Sequence, residues 1–169
     1  MSWRRPLSAA LLFAAALSLA GCGIQPLYGT TAGGSRLAAV MKSVDVTPIP
    51  GRVGQRVRNE LIFANTGGGV AEPTRYKLDI AVKESISNEL VRRSGDVQGQ
   101  VYELNAVFKL LDQSGKVVLE GKATSRAAFE RVQTIFSNVR ARYDAEDRAA
   151  RTVAEVIKVR VAAFLSQSA

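Results

Sequence analysis

Tyr102-Glu103-Leu104-Asn105-Ala106-Val107-Phe108-Lys109-Leu110-Leu111-Asp112-Gln113-Ser114-Gly115-Lys116-Val117-Val118-Leu119-Glu120-Gly121-Lys122-Ala123 is the stretch that decides the fold. Tyr102, Leu104, Ala106, Phe108 and Leu110 fall on every second position, with polar residues between most of them. That period marks a strand with one face on a core. Asp112-Gln113-Ser114-Gly115 is a turn tight enough for a hairpin. Val117, Leu119, Gly121 and Ala123 offer the matching face of the return strand, which continues toward Phe129.

Upstream, Tyr76, Leu78, Ile80 and Val82 alternate with Lys77, Asp79, Ala81 and Lys83, giving a second half-buried strand. Between it and Tyr102 lies Ser85 to Gln100, with Arg92-Arg93-Ser94-Gly95-Asp96 as a polar tip. This segment reads as a long, projecting hairpin. Before these strands, Arg52 to about Ala64 is a helix. Val53, Val57 and Leu61 recur every four residues with Ile62 beside them, and Arg52, Arg56 and Arg58 lie off that stripe. Asn65-Thr66-Gly67-Gly68-Gly69 ends it. A further strand is expected near Met41 to Ile49, with Val44 and Val46 inward and Pro48, Pro50 and Gly51 closing it.

Downstream, the longest helix is expected from about Asn138 to Leu165. Ala150, Val153, Ala154, Ile157, Val161, Phe164 and Leu165 make its apolar stripe. Asp144, Glu146 and Asp147 sit nearer its start, where the helix dipole favours negative charge, and Arg148, Arg151, Lys158 and Arg160 read as a solvated basic face. The order is β-α-β-β-β-α. The fold class is therefore α+β: a two-layer sandwich with a mainly antiparallel four-stranded sheet and two helices packed on one face. The other sheet face carries Lys77, Asp79, Lys83, Glu103, Asn105, Lys109, Glu120 and Lys122, with Val107 and Val118 among them.

The start of the chain has a different character. Arg4 and Arg5 precede an uncharged apolar run, Leu7 to Leu19. Spanning a bilayer takes roughly 20 apolar residues, so the run is too short for that and fits a signal-peptide core. Leu19-Ala20-Gly21-Cys22 resembles a bacterial lipobox: an aliphatic residue, two small residues, then a cysteine. Residues 1–21 are thus expected to be a lipoprotein signal peptide, cut before Cys22. The Cys22 thiol would take an S-diacylglyceryl group and its freed amine an acyl chain. Cys22 is the only cysteine, which excludes an internal disulfide. Residues 22–36 read as the lipidated N-terminus and a tether rich in Gly and Thr, able to reach roughly 50 Å when extended. Residues 37–169 remain for a single domain. Gly23, not aspartate, follows the cysteine, which favours the outer membrane of a two-membrane cell.

The chain carries 23 basic and 15 acidic residues, for a net charge of +8. An exported basic protein suggests an anionic partner such as lipid phosphates, lipopolysaccharide or an acidic protein surface; export argues against nucleic acid. An enzyme is not expected. The chain has no histidine, so Ser-His-Asp and Cys-His chemistry have no base, and no His/Cys cluster offers a zinc site. Gly67-Gly68-Gly69 lacks the strand before it and the Lys-Ser/Thr after it that a phosphate loop needs. Glu84 and Glu89, or Asp144, Glu146 and Asp147, are the carboxylates a glycan hydrolase would pair, but acids on a hairpin or in a first helical turn read as solvated, and nothing in the sequence sets their separation.

Three segments together resemble the LptE (RlpB) family of lipopolysaccharide-assembly lipoproteins, in its alphaproteobacterial form. They are Cys22-Gly23-Ile24-Gln25-Pro26-Leu27-Tyr28-Gly29, the run Ile49 to Leu61, and Tyr143-Asp144-Ala145-Glu146-Asp147-Arg148-Ala149-Ala150 leading into Ala154-Glu155-Val156-Ile157. The resemblance implies a non-catalytic outer-membrane lipoprotein that plugs an LptD-type β-barrel and binds lipopolysaccharide during its insertion into the outer leaflet. No cofactor is expected beyond the covalent lipid on Cys22. Arg92 and Arg93 are the foremost candidates for lipopolysaccharide contact, since family members use basic residues around this hairpin and the pair matches that position approximately. Lys116 and Lys122 are weaker candidates. A stand-alone periplasmic lipid-binding or transporter accessory lipoprotein is the alternative.

Overall fold

The computed structural model describes residues 37–70, 72–91, 97–131 and 134–168, and of residues 90, 91, 97, 98 and 168 the backbone alone. Seven elements follow in order: α1 (Leu37–Lys42), β1 (Val44–Val46), α2 (Arg52–Thr66), β2 (Tyr76–Val91), β3 (Val97–Leu111), β4 (Val117–Glu130) and α3 (Ile135–Ser168). The sheet order is β1-β2-β3-β4. Chains β2-β3 and β3-β4 are antiparallel hairpins, while β1 runs parallel to β2. The sheet is therefore mixed. Helix α2 supplies the crossover that a parallel neighbour requires.

The expected first strand is corrected at its start. Met41 and Lys42 belong to a helix, and the strand is only three residues long. Leu37, Val40 and Met41 lie at i, i+3 and i+4, so one helical face buries all three. The inward side of β1 is as expected, with Val44 and Val46 buried and Asp45 exposed. Thr47 N–H donates to Leu78 O at 3.1 Å and prolongs the pairing by one residue. Helix α1 joins α2 and α3, so three helices rather than two make the helical layer.

Helix α2 ends on Gly67, whose φ of 61° lets its N–H reach Phe63 O at 2.8 Å. Its third residue, Gly54, allows a close approach: a Cβ there would lie 2.6 Å from Ile49 Cγ2 and 3.0 Å from Ile49 O. Helix α3 begins at Ile135, three residues before the expected start, and its 34 residues span about 51 Å. Asp144, Glu146 and Asp147 consequently lie in its third and fourth turns, beyond the short range of the helix dipole.

The core lies between the helices and one sheet face. Tyr102, Leu104, Phe108, Leu110, Val57, Val153, Ile157 and Leu165 are all fully buried. The Phe108 ring covers Gly121, where a Cβ would meet its edge at 2.7 Å. Among the described residues, nothing covers the opposite sheet face. Lys77, Lys83, Lys109, Glu120, Lys122, Thr124 and Arg126 are exposed on it, with Val107. Arg126 holds Glu89 at 2.5 Å and Glu103 at 3.7 Å across three strands.

Two arginines of the basic helix face do structural work. Arg148 donates to Ala128 O at 2.9 Å and Arg160 to Lys122 O at 2.7 Å. Both acceptors are main-chain carbonyls of β4, so α3 occupies that strand's side of the sheet with its own side chains. Lys158 is mostly covered and pairs with Glu155 at 2.7 Å. Arg151 donates back to Asp147 O within the helix at 3.3 Å.

Candidate functional site

Of the expected functional residues, the two that are described do not converge. Cys22, Arg92 and Arg93 lie outside the described residues. Lys116 and Lys122 are described, and they occupy different places. Lys116 follows the β3-β4 turn, at the end of the sheet opposite the β2-β3 tip. Strand β3 has 15 residues, so about 45 Å separates the two ends. That distance follows from topology: successive antiparallel hairpins put their turns at opposite ends.

Lys116 takes part in the turn through its backbone. Asp112 Oδ1 accepts from Ser114 N–H at 2.8 Å, from the Ser114 hydroxyl at 2.6 Å and from Lys116 N–H at 3.0 Å. The Ser114 hydroxyl, then the Lys116 amide, hold the Asp112 carboxyl below its ordinary range. Lys122 sits mid-strand on the uncovered face, opposite Val107. Neither lysine shares a site with the other.

The structure instead assembles charge where α2 meets α3. Glu146 is buried, with 4% of its side chain exposed, and accepts from Arg52 at one oxygen and from Arg142 at the other, the latter at 2.7 Å. Arg52 also donates to Asp147 Oδ1 at 3.1 Å and lies 4.4 Å over the Tyr143 ring. Burial works against the Arg52 charge. The hydrogen bond and charge of Glu146, joined by Asp147, outweigh it and raise the pKa. Close by, the Tyr102 hydroxyl donates to Glu84 Oε2 at 2.9 Å. Burial, then the Glu84 carboxylate, push Tyr102 well above the ordinary tyrosine range.

This network borders a groove. The first turns of α3 contain no buried residue before Ala145, and together with Ile86 of β2, Gln100 of β3 and Phe129 of β4 they line the groove. One half of the groove, about 410 Å³, is lined by Ile86, Phe129, Arg131, Ile135 and others. The second half, about 360 Å³, is lined by Arg52, Glu84, Tyr143 and Glu146. Val139 and Arg142 belong to both. Ile135 and Phe136 remain largely exposed at the start of the helix.

Glu146 was placed in the sequence among solvated carboxylates, and its burial corrects that. A signal existed: stepping back from Val153 and Ala150 by helical spacing leads to Glu146, then to Arg142 and Val139. Its partner Arg52 is 94 residues away in sequence, and no local pattern reports that. Among the described residues, no three His, Cys, Asp or Glu side chains gather as metal ligands would.

Sequence comparison matches no family model and no curated protein. Structural comparison finds bacterial lipoproteins of the same fold. A candidate lipoprotein from Caulobacter crescentus superposes with a TM-score of 0.61 at 21% identity, over 77% of this chain and 96% of that one. More particularly, rare lipoprotein B from Shewanella oneidensis superposes with a TM-score of 0.55 at 15% identity, over 72% and 92% of the two chains. The uncharacterized lipoprotein B of Nitrosomonas europaea gives 0.53 at 18% identity, over 73% and 83%. This chain shares their fold.

Proposed function

We propose that this chain is an LptE-like lipoprotein: a non-catalytic subunit, anchored in the outer membrane through acyl groups on Cys22, that sits in the lumen of an LptD-type β-barrel and binds lipopolysaccharide on its way to the outer leaflet. The observation that carries the proposal is the fold shared with rare lipoprotein B over 92% of that chain. The lipobox-like Leu19-Ala20-Gly21-Cys22 and the resemblance of three segments to the LptE family support it.

The charge distribution fits the same role. An uncovered sheet face of lysines, carboxylates and Arg126 suits a hydrophilic barrel wall. The sequence between β2 and β3 contains Arg92-Arg93, and guanidinium groups pair with phosphates through charge-assisted bonds. The packed core also bears on the alternative of a stand-alone lipid carrier. Tyr102, Phe108, Leu104 and Ile157 fill the space between the layers, where a carrier would keep room for acyl chains.

Purification of the native chain from membranes in mild detergent tests the proposal. A large β-barrel protein is expected in stoichiometric amount, and depletion of the chain is expected to lower surface lipopolysaccharide. Recovery as a free monomer with surface lipopolysaccharide unchanged would refute it. Arg92→Ala with Arg93→Ala is expected to weaken lipopolysaccharide capture while leaving barrel association intact.

A further inference from the structure

Helix α3 runs on past the helix it packs against. Arg52, the first residue of α2, already stands over Tyr143, so the turns from Ile135 to Arg142 overhang it. At about 100° per residue, Ile135, Val139, Tyr143 and Phe136 fall in one sector about 100° wide. Ala150, Val153, Ala154 and Ile157 occupy the same sector further along the helix, and there it is buried in the core. In the overhang it is bare: Ile135 is 83% and Phe136 75% exposed, and Val139 and Tyr143 are exposed with them. Among the described residues, Ile86 and Phe129 border this surface across the groove without covering it.

The free charges around that sector have one sign. Arg142 stands about 20° beyond one side of it and Arg140 about 40° beyond the other. Arg131 lines the groove just before the helix. From Arg131 to Tyr143 the sequence has no aspartate or glutamate. The acids that border the groove are already engaged, Glu146 by Arg52 and Arg142, and Glu84 by the Tyr102 hydroxyl. Arg131 and Arg140 are in no ion pair among the described residues. An apolar sector with aromatic side chains, flanked by arginines, is the pattern of a helix lying in a lipid–water interface. The apolar groups enter the acyl boundary and the arginines reach the headgroups. A second copy suits the surface less well, since face-to-face contact sets arginines against arginines. An anionic leaflet supplies an apolar phase and phosphates together. No described helix is long and apolar enough to cross a membrane, so the contact is interfacial.

We infer that the first turns of α3, with Arg131, are a docking surface for an anionic lipid bilayer: Ile135, Phe136, Val139 and Tyr143 enter the interface, and Arg131 and Arg140 pair with lipid phosphates. The inference goes beyond the functional proposal, since it needs neither barrel nor lipopolysaccharide. It also fixes an orientation. Phe129 is at the groove and Val117 at the other end of β4, so the β3-β4 turn stands about 40 Å away from the membrane-facing end.

The test reads depth rather than binding, because the N-terminal segment by itself could hold the full chain on vesicles. Trp3→Phe removes the only tryptophan. Phe136→Trp then puts a reporter on the proposed surface, and Val117→Trp, in a separate chain, puts one at the far end of the sheet. The vesicles are brominated phosphatidylcholine, alone or mixed with phosphatidylglycerol. With phosphatidylglycerol, the reporter at 136 is expected to shift to the blue and to be quenched by the bromines, and the one at 117 to do neither. Without it, quenching at 136 is expected to fall. Arg131→Glu with Arg140→Glu, both at exposed sites, is expected to lower the ratio of docked to undocked chains roughly tenfold or more. Ile135→Asp, also exposed, is expected to lower it independently of those charges. Circular dichroism confirms that each variant is folded. Equal quenching at 136 and 117 would overturn the inference. So would quenching at 136 that ignores phosphatidylglycerol, or that survives the arginine reversal and Ile135→Asp. A blue shift at 136 that grows with protein concentration without lipid would assign the surface to a second copy and overturn it as well.

Discussion

Glu146 offers the sharpest check on how this domain is held together, because two cations share one buried carboxylate. Arg52 and Arg142 have 45% and 52% of their side chains exposed, against 4% for Glu146. Replacing Arg52 by alanine removes a charge-assisted hydrogen bond, worth about 1.5–3 kcal/mol in full burial. Exposure of the guanidinium roughly halves that, and loss of the contact with Tyr143 adds about 0.5 kcal/mol. Arg52→Ala should therefore cost about 1.3–2 kcal/mol. Arg142→Ala, a pair within one helix, should cost about 1 kcal/mol. With both gone, Glu146 is buried without a cation, and the cost should reach about 3–5 kcal/mol, more than the two single losses together. Adding Glu146→Leu to that double variant removes the stranded charge and should bring stability back to within about 2 kcal/mol of wild type. Urea unfolding at neutral pH supplies these values. Far-UV circular dichroism is the signal, since the only tryptophan is Trp3, outside the described residues. Strict additivity of the two arginine losses, or no recovery on adding Glu146→Leu, would show that Glu146 is not the shared, desolvated centre described above.

Three further outcomes are expected. Gly121→Ala drives a methyl into the Phe108 ring, 2.7 Å from its nearest atom, and should cost about 1–3 kcal/mol in the same unfolding assay; an unchanged midpoint would show that the ring moves freely. Tyr102 is held protonated in the folded chain above the pKa of its unfolded form, so its contribution is present below about pH 10 and is lost as pH rises further. Tyr102→Phe should then give a shallower loss of stability above about pH 10 than wild type, and identical slopes would contradict that. Asp112→Ala releases three hydrogen bonds of an exposed turn. It should lower stability modestly and speed amide exchange at Ser114 and Lys116, and unchanged exchange would mean the turn does not depend on that carboxylate.

Periodicity made most of this fold legible. Strands and helices that each bury one face repeat apolar residues at 2.0 or 3.6 positions, and β2, β3, β4, α2 and the later part of α3 all carry that pattern. The β3-β4 hairpin followed from one tight turn, but a register shift between Leu110 and Leu111 pairs Val117 with Leu111 and leaves it exposed, not on the inward face expected for it. What misled was brevity: Leu37 to Val46 holds a six-residue helix and a three-residue strand, each too short for a period to declare itself. The early start of α3 was hidden for a different reason. Its first turns bury nothing, so no apolar stripe announced them.

The sequence alone determined the layer architecture, the lipobox-like segment at Cys22 and the lack of any histidine, because each is a property of local spacing or composition. Tertiary structure decided the rest. It set β1 parallel to β2, since direction depends on where the α2 crossover returns the chain. It brought Arg52 to Glu146 across 94 positions, and so turned an apparently solvated acid into the buried junction of two helices. It put Lys116 at the far end of the sheet from the β2-β3 tip, because antiparallel hairpins alternate their turns. Among the described residues it also left β2 unpaired on its outer side beyond Leu78, while two arginines bound carbonyls of β4. These are facts of which surfaces meet, and a one-dimensional pattern records only which surfaces are apolar.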